Sequence, residues 1–253
     1  MTSEEIVSRI LFRAALMLVI DKPAGRPVHP GHGGGETLER HLDALRFGLP
    51  KRPQIVHRLD RDTSGCLVLG RHAKAISRLN KLFEERKVDK VYWAVVAGRP
   101  KEDAGEIDLA MSPLAPDMPW RTKIDPDGQE AVTQWRVLAR DPKHALLELR
   151  PLTGRTHQLR VHCAAMGWPI VGDSVYGDAH RGRRDEERKR TTLLLHARQV
   201  TIPLYPKKPA IIVEAPLPDH MQPLVEVLMG QDAAGEVAGS ATIPPSPIRL
   251  RLC

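Results

Sequence analysis

Aromatic side chains are scarce in this chain: four Trp, three Tyr and three Phe among 253 residues. That excludes a fold anchored on many aromatic core residues, and it excludes broad aromatic stacking platforms. Cysteine is scarcer still. Cys66, Cys163 and Cys253 are odd in number and lack a C-x-x-C spacing, which argues against a disulfide framework or structural zinc site and fits a reducing, cytoplasmic setting. Long hydrophobic runs are absent too. The apolar stretch Ile6 to Ile20 is broken by Arg9 and Arg13, so neither a membrane span nor a secretion signal is expected. Acidic excess is also missing: 38 Lys+Arg face 31 Asp+Glu, a formal charge of +7 that favours an anionic partner.

Several chemical signatures fail. His32-Gly33-Gly34-Gly35 is like a lipase oxyanion loop, but no G-x-S-x-G elbow supplies a serine. His57-Arg58-Leu59-Asp60 departs from the kinase order H-R-D, and neither D-F-G nor a Gly-rich phosphate loop accompanies it. P-loop, G-x-G-x-x-G and H-E-x-x-H patterns are missing, so no cofactor and no metal are expected.

What is present reads as a well-buried globular chain, 42% hydrophobic and 27% charged. Leu16 to Ile20 is a buried strand stopped by Pro23 and Gly25. Leucines at 38, 42 and 45 have helical spacing, and Ala73 to Val88 is an amphipathic helix with Ile76, Leu79, Leu82 and Phe83 on one face. Strands are predicted at Lys90 to Val96, Ala131 to Leu138 and Ala145 to Leu149. A short helix from His157 to Met166 would be capped by Thr156 and ended by Gly167 and Pro169. Strands without regular βαβ alternation predict the α+β class. The basic run at 180–190 reads as a solvated insertion or an anion contact. Residues 230–253, rich in Gly, Ala, Ser and Pro, read as a disordered tail behind one domain over 1–229.

Two stretches concentrate chemistry. Arg58 to Gly65, a polar loop between the apolar runs Gln54 to Val56 and Cys66 to Leu69, carries Asp60 and Asp62 among Arg58 and Arg61; it is either a surface salt-bridge cluster or a catalytic carboxylate site. Thr153 to His162 holds two arginines, two histidines and a glutamine, a donor density unlike that of a core helix. With His157 and Arg160 on one face at i, i+3, it either addresses a site or is a basic surface helix.

Together these stretches resemble the RluA-type pseudouridine synthases. The run His57 to Gly65, then Lys90-Val91-Tyr92-Trp93-Ala94, then Gly154 to His162 repeat three family signatures in order; Asp21 to Gly25 and Leu193 to Ala197 are similar to its first and last. The resemblance spans about Leu11 to Pro216 and implies the fold of that family, a central mixed, largely antiparallel sheet flanked by helices. It is nearest to the subgroup without an extra N-terminal RNA-binding domain. It implies an enzyme that isomerises uridine in ribosomal or transfer RNA; a monomer is expected. The glycosidic bond breaks, the flipped-out uracil turns, and a ring carbon rejoins the same sugar. Asp60 matches the essential carboxylate, attacking sugar or base, while Asp62 lies at a variable position. Arg160 matches the arginine that pairs with that carboxylate, and Tyr92 the tyrosine that stacks on the target base. Arg58, His57, Thr63, Arg155, His157, Gln158 and Leu195 are carried over as substrate-binding positions. A non-catalytic RNA-binding protein and a base-releasing hydrolase are the alternatives, separable by product analysis.

Overall fold

The computed structural model describes residues 1–30, 35–118, 120–177 and 192–230, with the backbone of 231, 232, 249 and 250. The basic run expected at 180–190 lies outside the described residues, as do most of the expected tail and part of the His29–Gly35 loop. In chain order the elements are α1 (Ser3–Ser8), β1 (Ile10–Arg13), β2 (Met17–Lys22), a 3₁₀ helix (Leu38–Leu45), β3 (Gln54–Ile55), β4 (Ser64–Gly70), α2 (Ala73–Glu84) and β5 (Asp89–Ala97). Then follow β6 (Ala104–Asp108), β7 (Met111–Pro113), β8 (Thr122–Ile124), β9 (Val132–Arg140), β10 (His144–Pro151), α3 (Gln158–Ala165), β11 (Leu195–Ile202), β12 (Ile211–Glu214), α4 (Gln222–Asp232) and β13 (Arg249–Leu250). Helix α4 continues through Gly230, where the sequence predicts the tail to begin.

Internal contacts divide the chain into two compact units, one of 1–90 with 196–218 and one of 91–195 with 219–253. In the first, β4 is the centre. All seven of its residues are buried, as a strand covered on both faces requires. It pairs antiparallel with β2, from Met17 opposite Gly70 to Lys22 opposite Gly65, and parallel with β11 at Ser64 opposite His196. Gly65 has φ +104°, and a Cβ there would meet the Ala197 carbonyl oxygen at 2.3 Å, so glycine is the residue this crossing tolerates. Met17, Val19, Cys66, Val68, Leu79, Val200 and Ile202 form the core. The helix predicted to reach Val88 stops at Glu84. Arg86 turns left-handed (φ 56°) and the Lys87 N–H reaches back to the Leu82 carbonyl, closing the last turn.

The second unit is built on the antiparallel order β5-β10-β9-β6, with β13 parallel to β6. A separate hairpin, β7-β8, pairs Met111 with Ile124. Ala94, Val96, Trp135, Leu147, Leu149, Leu159, Cys163 and Ile170 make its core. Both units are α+β, and none of the described helices is long and apolar enough to cross a membrane. Cys66 and Cys163 are free buried thiols whose pKa burial drives upward, to about 12 for Cys66.

Candidate active site

In the first unit, the loop carrying Asp60 is fastened at four points. His57 begins it: its Nε2 accepts the Val68 N–H at 2.9 Å, and its ring stacks on Phe83 with centroids 4.5 Å apart. Loss of water around the ring, with Lys90 adding its charge, lowers the His57 pKa to about 3. The imidazole is therefore a neutral strut. The Thr63 N–H closes a turn onto the Asp60 carbonyl at 3.2 Å, with Thr63 itself buried. The buried Ser64 hydroxyl meets His196 Nδ1 at 2.9 Å.

The fourth fastening is Lys22, at the end of β2. Its side chain is fully buried, and its Nζ donates to the carbonyls of Pro23, Arg26 and Arg61 at 2.9, 2.8 and 2.9 Å. Three acceptors match the three hydrogens of an ammonium. Burial draws the Lys22 pKa down to about 7, opposed by Asp62, Asp60 and Asp21. Within this frame Leu59 points into the core, Asp60 is half-buried and Arg58 is exposed. Arg61 and Asp62 pair at 3.0 Å on the surface.

In the second unit, the donor-rich stretch is not a surface helix. Gln158 to Cys163 are all buried, and the donors are satisfied inside. The Gln158 Nε2 donates to the Val132 carbonyl and to Thr133 Oγ1, both at 3.0 Å, while its Oε1 accepts from Thr153 Oγ1 and the Arg155 N–H. The Thr133 hydroxyl then donates to His162 Nδ1, and His162 Nε2 donates to the Leu109 carbonyl at 3.1 Å. Burial lowers the His162 pKa to about 4.

The cap also differs from expectation. His157, not Thr156, is the N-cap, with φ 55° and no side-chain cap bond. Thr156 instead offers its carbonyl to Thr122 Oγ1 at 3.0 Å. His157 thus stands off the helix, with Nδ1 2.9 Å from the Tyr176 hydroxyl. Arg160 is inside, held bidentate by Asp173: Nε to Oδ2 at 2.7 Å and Nη2 to Oδ1 at 2.8 Å. Arg155 Nε donates to the Glu130 carbonyl. Tyr92, half-buried opposite Leu149, lays its ring on the core, and Leu195 is 2% exposed within that same core.

The structure therefore gathers His57, Arg58, Asp60 and Thr63 on one loop and places Arg155, His157, Gln158 and Arg160 about one helix start. Lys22, Asp173 and Tyr176 were missed as site residues. Lys22 sits inside the Asp21 to Gly25 turn, and the sequence signal for the other two was Gly172-Asp173 with a tyrosine three residues on, the pattern of an aspartate folding over its own backbone.

The family model described as RNA pseudouridylate synthase matches residues 16–165, a span that includes the Asp60 loop, Tyr92 and all of α3. The chain belongs to the RNA pseudouridine synthase family. An uncharacterised RNA pseudouridine synthase of Zymomonas mobilis is 46% identical over 84% of this chain and 95% of the relative. The ribosomal large subunit pseudouridine synthase D of Nitrosomonas europaea is 36% identical over 89% of this chain and 67% of that one. The structure of human RNA pseudouridylate synthase domain containing 4 superposes with a TM-score of 0.74 at 29% identity, covering 89% of this chain and 95% of that one. The synthase is thus an isomerase acting on RNA, with the α+β fold of its family.

Proposed function

We propose that this synthase isomerises uridine in ribosomal or transfer RNA, with Asp60 as the reacting carboxylate. The observation that carries the reading is the Asp60 loop itself: a half-buried carboxylate whose flanking backbone is fixed by Lys22, His57, Thr63 and Ser64. Rigid placement of one nucleophile is what an in-place rearrangement needs, because breaking and remaking a bond to the same sugar punishes misalignment. Arg160 as the cation serving Asp60, and Tyr92 as the base-stacking ring, are assigned from the motifs they occupy. Arg58, exposed beside Asp60, is the residue of the loop best suited to a phosphate or a vacated base position. The His57 and Gln158 side chains and the Thr63 N–H are engaged within the protein, so these residues shape the site. Leu195 does so from the core.

The name of the Nitrosomonas relative favours large-subunit ribosomal RNA as the first substrate to try. A monomer acting in the cytoplasm completes the proposal; the free thiols fit a reducing compartment. The test is incubation of ribosomal and transfer RNA with the synthase in a chelator, then nucleoside chromatography beside intact RNA mass. Carbon-linked uridine at unchanged mass is expected. Free uracil would identify a hydrolase, and unchanged nucleosides would leave only a binder.

A further inference from the structure

Beyond the motif residues, we propose that Asp173 and Tyr176 are positioning residues for the reaction, a clamp that fixes the orientation of the Arg160 guanidinium. This rests on the reading of Arg160 as catalytic. Asp173 is set before it meets the arginine. Gly172 precedes it at φ 79°, where a Cβ would meet the Thr192 carbonyl oxygen at 2.1 Å, so the backbone enters the turn by a route closed to other residues. Asp173 Oδ1 accepts the N–H groups of Val175 (2.8 Å) and Tyr176 (3.0 Å), an aspartate turn that holds the carboxylate without help from Arg160. Arg160 then presents Nε and Nη2 to the two oxygens, with side-chain exposures of 4% and 1% for the pair. Burial alone would raise the Asp173 pKa, but Arg160 and the two backbone donors outweigh it and bring it below the ordinary value.

Tyr176 closes the other side. Its ring lies 5.2 Å from the guanidinium carbon, stacking distance for a cation over an aromatic face. Its hydroxyl accepts the Thr122 N–H at 3.1 Å and is hydrogen-bonded to His157 Nδ1 at 2.9 Å. The ring is therefore tied to the first residue of β8, at the loop end of the β7-β8 hairpin, and to the N-cap of α3. A bidentate carboxylate fixes the guanidinium plane, the ring covers one face of it, and the remaining edge of the fork has one direction to serve. Pairing one edge of an arginine to a pre-formed carboxylate is a way to aim the other edge.

The experiment measures single-turnover isomerisation and RNA affinity for Asp173→Asn, Asp173→Glu and Tyr176→Phe, alone and combined with Arg160→Ala. Asp173→Asn is expected to slow turnover by about 100-fold with RNA affinity changed less than about threefold, the scale of a misaligned catalytic group. Asp173→Glu should recover part of that loss, and Tyr176→Phe, which keeps ring and packing, should slow turnover by about tenfold. In the Arg160→Ala background neither change should slow the reaction further, which a merely structural defect would do. Additive losses, or parental rates in Asp173→Asn and Tyr176→Phe while Arg160→Ala is inactive, would overturn the clamp. A fully active Arg160→Ala would instead overturn the assignment of Arg160. Should Asp173→Asn fail to fold, Tyr176→Phe decides alone by the same non-additivity.

Discussion

The loop around Asp60 and the start of α3 around Arg160 each hold one charged group, and they hold it by opposite means. Asp60 stands half-buried on a stretch whose backbone is pinned from outside, chiefly by a buried lysine donating to three carbonyls. Arg160 is buried outright, and its own side chain is gripped by Asp173. The first arrangement fixes the carboxylate through its backbone and keeps it only half-buried. The second makes the charge part of the core, so that on the proposed role of Arg160 function and folding share one ion pair. On the proposed roles, a reacting group and a group that steadies it call for different degrees of burial.

That contrast is sharpest in Arg160→Ala. It leaves the buried Asp173 carboxyl without the guanidinium opposite it, so a loss of about 4 kcal/mol in unfolding free energy is expected in denaturant titration, alongside lost activity. Acid stability separates the two regions next. Folded His162 stays neutral until about pH 4, whereas in the unfolded chain it takes up a proton near 6.5. Between those values the unfolded state binds more protons, so stability falls as pH falls and levels below about 4, a contribution of about 3 kcal/mol. His162→Gln should be weaker at neutral pH but lose that acid limb, as read from denaturation midpoints between pH 7 and 4. Lys22→Met should cost about 2 kcal/mol, since three carbonyls lose a donor, and turnover should fall more than RNA affinity. The smallest effect is expected for Arg61→Ala or Asp62→Asn: below about 0.5 kcal/mol and near-parental turnover, because that pair is exposed. A large activity loss in Asp62→Asn would mean the second carboxylate takes part.

The Asp60 loop was legible because its neighbours are. Apolar runs at Gln54 and Cys66 bracket a polar stretch, and the structure turns them into β3 and β4 with the loop between. The helix at Ala73 was equally plain, its end displaced only by a left-handed turn at Arg86 that side-chain periodicity does not encode. The α3 region was misread for a physical reason. A sequence shows donors but not acceptors, and the acceptors for Gln158, Arg160 and His162 lie on Val132, Thr133, Asp173 and Leu109, up to 53 residues away. Density of polar groups signalled exposure, when it marked a satisfied interior. Thr156 failed as a cap because His157 adopts a left-handed conformation held through Tyr176, a tertiary contact that local propensity does not see.

The most direct test compares Asp60→Asn with the parent in single-turnover isomerisation of a uridine-containing substrate, with RNA affinity and thermal melting measured on the same samples. The expected result is a rate loss of at least about 10⁴-fold at parental affinity and melting temperature, since the substitution removes charge and nucleophilicity and little else. A mutant that turns over within tenfold of the parent would contradict the assignment of Asp60 as the reacting carboxylate.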